Sequence, residues 1–104
     1  MDNATTSTAQ LRAAIEEIFV KRSRKAAQSE YDRSVCVRAV AAARDVFVSV
    51  PVEGNAAQYG RAVVSALAPL YENYNDPDGE FTSGKGVIGD VYMDVMALVG
   101  HQDV

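Results

Sequence analysis

The residues with the most obvious chemical promise stand in GEFTSGKGV, residues 79–87. The stretch reads G-x-x-x-x-G-K, a phosphate-binding loop up to its last position, where Gly86 replaces the expected Ser or Thr. That chemistry needs glycines so that backbone N–H groups can wrap phosphates, a Lys to neutralise charge, and a hydroxyl to hold Mg²⁺. It also needs a buried strand before the loop and a helix after it. PLYENYNDPD is no apolar strand, and the metal-holding hydroxyl is missing. The stretch is read as a linker ahead of a helix. A narrower expectation survives, that free N–H groups at this helix start, beside Lys85 and Gly86, hold an anion.

The neighbouring DPDG suggests calcium, but aligning an EF-hand on Gly79 puts Tyr74 at the first ligand position and Lys85 at the last. Asp-Pro and Asp-Gly turn chemistry accounts for it instead. Nucleophilic catalysis fares no better. His101, the single histidine, stands in the tail, and Cys36, the single cysteine, falls among apolar positions as a small core residue. One Cys and one distant His cannot complete a zinc site. Glu16/Glu17 and Asp90/Asp94 pair carboxylates, each on a predicted solvent face with nothing to mark a general acid or base. No metal or cofactor is therefore expected, and no enzymatic activity.

Charge gives a different kind of signal. Residues 1–50 hold eight Lys+Arg against six Asp+Glu, whereas residues 51–104 hold two against eight, within a net charge of −4. Such asymmetry favours self-association or a charged partner. The basic run KRSRK supplies Lys21, Arg22, Arg24 and Lys25, and Arg33 and Arg44 lie within ~20° of each other on a following helix. Together these six form a candidate ridge for the phosphates of duplex DNA or RNA. Against that stand the acidic total, the absence of interleaved aromatics, and Glu30 and Asp32 beside the ridge.

The elements that must carry these residues follow from apolar spacing. Ser7-Thr8-Ala9-Gln10 has the form of a capping box, and Leu11, Ile15, Ile18 and Phe19 then mark one helical face to about residue 26. Arg12/Glu16 and Glu17/Lys21 are set one turn apart as ion pairs. A second helix is expected from Ser29. Its apolar residues Val35, Cys36, Ala39, Val40, Ala42, Ala43, Val46, Phe47 and Val50 crowd an arc of roughly 160°. Val37, Ala41 and Val48 form a second stripe outside it, so this helix is expected at the centre. VFVSVPV, residues 46–52, also has strand character, but the unbroken helical spacing favours helix up to Pro51. Asn55 caps a third helix through Tyr59, Val63, Leu67, Leu70, Tyr71 and Tyr74, with Pro69 expected to kink it or open a separate turn. The last helix starts at Thr82 or Ser83, presents Ile88, Val91, Tyr92, Val95, Leu98 and Val99, and is expected to end at Gly100.

The pattern predicts an all-α fold: one compact domain over residues 1–104, a bundle of about four short helices with the second central. Residues 1–6 and 101–104 are expected to fray. No apolar run approaches the ~18 residues of a membrane span. MDNATTSTAQ lacks the pattern of a signal peptide, and a lone cysteine suits a reducing compartment, so a cytoplasmic protein is expected. The functional expectation is a non-enzymatic adaptor, inhibitor or assembly subunit working through a helical surface, with a protein partner or a second copy of itself. Small helical viral and phage proteins share this general character, an analogy at the level of fold alone. The interface is placed on Val37, Ala41, Val48 and Val20; duplex nucleic acid on the basic ridge is the alternative.

Overall fold

Ser7 takes up the role its spacing from Gln10 implies. Its hydroxyl accepts from the Gln10 N–H at 3.0 Å, while the Gln10 side chain accepts from the Ser7 N–H at 2.9 Å. Two otherwise orphaned donors are satisfied, and helix α1 runs from there as Thr8–Ala27. The computed structural model describes residues 7–30, 32–74 and 83–102. Within these it contains α1, α2 (Arg33–Ser49), α3 (Ala56–Asn73) and α4 (Ser83–Gln102), and no strand. The all-α reading holds, and α2 is central: it packs on α1, α3 and α4.

Helix α2 starts later than its sequence suggests. Ser29 does not cap it. The Ser29 N–H bonds back to the Ala26 carbonyl, and its hydroxyl bonds the Asp32 carboxylate, so Ser29 belongs to the turn that closes α1. Asp32 takes the N-cap position, and Arg33 reaches back with its Nε to the Ser29 carbonyl at 3.2 Å. At the other end the helix absorbs most of VFVSVPV. Val50 turns extended at ψ 124°, as a residue before proline must, and its N–H still reaches Phe47.

Gly54 adopts φ +75°, the left-handed conformation that favours glycine, and its carbonyl accepts from the Thr8 hydroxyl at 2.7 Å. The loop before α3 is thereby tied to the start of α1. Asn55 and Gln58 form a second capping box, at 2.8 and 3.0 Å. Pro69 opens no separate turn, for α3 continues unbroken to Asn73. The proline is exposed, and so is Ser65, whose carbonyl loses its helical donor. Nor does Gly100 end α4, which passes through it to Gln102. Among the described glycines only Gly54 has positive φ, so Gly100 makes no left-handed cap. The expectation of fraying at residues 1–6, 103 and 104, and Thr82 as a cap, lie outside the described residues.

Most of the expected apolar faces form the core, but Ile18, Leu70, Tyr92 and Leu98 are only partly buried against it, and Tyr71, expected on the inner face of α3, is exposed. Leu11, Ile15 and Phe19 of α1 meet Val40, Ala43 and Phe47 of α2, with Tyr59, Val63 and Leu67 of α3 and Val91, Val95 and Val99 of α4. Phe19 stacks on Phe47 at 5.2 Å between ring centroids, and fully burying such a side chain stabilises by about 1.5–3 kcal/mol. Phe47, near the end of α2, also lies beneath the Arg12 guanidinium, which stands 5.7 Å from its ring centroid. At Gly60, a β-carbon would lie 2.9 Å from a Val99 methyl and 3.2 Å from a Leu11 methyl, so α1, α3 and α4 converge there as closely as a bare backbone permits.

Candidate interaction surfaces

Helix α2 buries seven of the nine residues of its predicted arc through Val50, its C-cap, with Ala42 and Val46 half-buried. The opposite consequence is that Val37, Ala41 and Val48 remain outside. Val37 is 43% and Val48 47% exposed, and Val52, just past the helix, is 51% exposed. Residues 33, 37, 41, 44 and 48 advance by four, four, three and four, the spacing of a single straight stripe. Arg33 and Arg44 therefore flank the same apolar line that Val37, Ala41 and Val48 define, and all five are exposed. Val20 is exposed on α1 at 38%.

Of the other basic residues, Lys21, Arg22 and Lys25 line one groove and Arg24 lies apart from it. Arg22 is committed to α4: its Nε and Nη2 both donate to one Asp94 oxygen at 2.8 Å, and Nη1 lies 3.7 Å from Asp90. Arg24 is exposed on the outer side of α1. Lys21 and Lys25 line a groove between α1 and α4, of about 530 Å³, together with Ala14, Glu17, Ile18, Arg22, Asp94, Ala97 and Leu98. The expected Glu17–Lys21 ion pair does not form, whereas Arg12 and Glu16 do pair, at 3.1 Å. Asp90 and Asp94 do face solvent, at 61% and 39% side-chain exposure, and also hold α4 to Arg22 of α1.

The start of α4 has a structural occupation. Lys85 lies 5.7 Å over the Tyr71 ring and donates to the Glu72 carbonyl at 3.3 Å, near the negative end of the α3 dipole. Gly86 is exposed, with nothing within 4 Å of where a β-carbon would be. Among the described residues the element before the P-loop-like stretch is helix α3, and there is no strand. Cys36 is buried at 7% exposure. Among the described residues no three of His, Cys, Asp and Glu gather as a metal site, and no helix is long and apolar enough to cross a membrane.

One buried polar atom stands out. The Tyr59 hydroxyl makes no hydrogen bond of good geometry, although the Arg12 guanidinium lies beside it. Burial pushes its phenol above the ordinary value of 10.0, while the nearby Arg12 guanidinium works in the opposite direction.

The outer face of α4 carried no expectation from the sequence. Met93 is 61% and Met96 37% exposed, beside a hollow of about 430 Å³ lined by Tyr71, Lys85, Gly86, Gly89, Asp90 and Met93. The signal was present: between Lys85 and Asp90 on the helical wheel, the outward positions of α4 are Gly, Met and Ala without a charge. No protein-family model, curated protein or solved structure matches this chain.

Proposed function

We propose that this protein is a non-enzymatic binding and assembly protein, an adaptor, inhibitor or structural subunit that self-associates through the outer stripe of α2. The observation that carries the reading is the exposure of Val37 and Val48 in line with Ala41, on a helix whose opposite side is fully engaged in the core. Isolated exposed apolar residues are ordinary, but a straight stripe over three turns is the form a helix–helix contact takes. The outer face of α4, with Met93, offers a second apolar surface of the same kind. The lone, buried Cys36 suits a reducing compartment, and a cytoplasmic setting belongs to the same proposal.

Sedimentation velocity over a concentration series tests this. The wild type is expected to associate, and Val48→Asp to sediment as a monomer with an unchanged circular-dichroism spectrum. Two copies of a face that each carry Arg33 and Arg44 repel, so added salt should strengthen the association by screening. Duplex nucleic acid remains the second reading because those arginines share the stripe, and there the salt dependence has the opposite sign. A monomer at every concentration, or a Val48→Asp variant that associates like the wild type, would refute the proposal.

A further inference from the structure

The groove between α1 and α4 has an apolar floor and a charged rim of uneven sign. Ile18 and Leu98 are half-buried at its base, and Ala14 and Ala97 leave room above them. From Ala14 to Lys25 it follows α1 for about 17 Å, or three helical turns. Lys21 and Lys25 stand one turn apart on its wall, both exposed, and neither side chain makes a hydrogen bond or ion pair among the described residues. Between them Arg22 is already neutralised by Asp94 and Asp90. The groove is thus positive toward the end of α1, while Glu17 makes it neutral to negative toward the start.

We propose that this groove docks an acidic amphipathic helix of another protein. Its apolar side chains would lie over Ile18 and Leu98, and two carboxylates spaced i,i+4 would meet Lys21 and Lys25. Three turns of groove match three turns of helix. A nucleic-acid duplex fits less well, since its uniform phosphates would meet Glu17 and its backbone gains nothing from an apolar floor. A second copy of this chain does not supply the ligand from its described helices. Asp90 and Asp94, the one acidic pair at this spacing there, are held by Arg22, and Glu16 is held by Arg12. This inference rests on the reading of the protein as a binding module but not on its self-association.

The probe is a fluorescein-labelled, helix-forming peptide of fifteen residues with leucines at i, i+4 and i+7 and two glutamates one turn apart. Fluorescence anisotropy with the full chain at low salt should show saturable binding. Amide shifts in nuclear magnetic resonance spectra should map to Ala14, Ile18, Lys21, Lys25 and Leu98. Lys21→Glu/Lys25→Glu should weaken binding about tenfold, as two exposed ion pairs reversed together would. Ala97→Gln, which fills the groove without adding charge, should weaken it too. The peptide with lysines in place of both glutamates should not bind. Sedimentation of the double Lys variant should match the wild type, which separates this inference from the α2 proposal. Absence of saturable binding, equal binding of the lysine peptide, or shifts elsewhere would overturn it. Tighter, Lys21- and Lys25-dependent binding of a 16-base-pair duplex would overturn it in favour of nucleic acid.

Discussion

Gly60→Ala and Gly86→Ala are the same chemical change inside a helix, and the structure predicts opposite signs. In a helix interior alanine is favoured over glycine by about 1 kcal/mol, because glycine surrenders more backbone freedom on folding. At Gly86 nothing lies within 4 Å of the new methyl group, so about half of that gain should appear so near the helix start, roughly 0.5 kcal/mol. At Gly60 the methyl would sit 2.9 and 3.0 Å from the two Val99 methyls and 3.2 Å from Leu11. Val99 is β-branched and stiff, so relief requires α4 to move away from α3. Overpacking of this kind costs about 1–3 kcal/mol, which exceeds the propensity gain and leaves a net loss of about 1 kcal/mol. For a chain of this size that is a fall in Tm of about 5 °C. Urea and thermal unfolding of both variants, followed by circular dichroism, would measure it. If Gly60→Ala stabilised as much as Gly86→Ala, the three-helix convergence at residue 60 would be refuted.

Three further outcomes follow from two individual groups. Tyr59→Phe removes a buried hydroxyl that makes no hydrogen bond of good geometry, so at neutral pH it should be neutral or stabilising by up to ~1 kcal/mol in urea unfolding. The raised Tyr59 pKa means that the folded state keeps its proton while the unfolded chain releases it, so wild-type stability should fall as pH rises past 10.0, and Tyr59→Phe should blunt that fall. Asn55→Ala leaves the Gln58 N–H without its acceptor and should cost about 1 kcal/mol by thermal unfolding.

Much of the fold was legible because the signals that decide it are local. The Ser7–Gln10 box needs only four residues, and the apolar arc of α2 needs only its own spacing. The misplaced boundaries have one physical origin, competition between equally local alternatives. Ser29 and Asp32 are both good caps, and the bond from Ser29 back to Ala26 gave the position to Asp32. Gly100 looks like a terminator, yet a glycine stops a helix only when it turns left-handed, and this one does not. The surfaces were less legible, since they depend on partners distant in sequence. Arg22 and Asp94 are 72 residues apart, and nothing near either one announces their bond.

The run KRSRK shows why a linear cluster of charge is a poor guide to a surface. Five consecutive residues advance ~100° each and so circle the whole helix. The four cations therefore point in different directions. Arg22 turns inward to Asp94, Arg24 outward to solvent, and Lys21 and Lys25, ~40° apart, into the groove beside α4. What reads as one basic ridge is divided by the geometry of the helix into an ion pair that joins α1 to α4, a solvated arginine, and one pair of cations that share a side. Only that last pair concentrates charge where a ligand can meet it twice, and it does so beside an apolar floor. That juxtaposition is why the groove favours a carboxylate-bearing helix over a phosphate backbone.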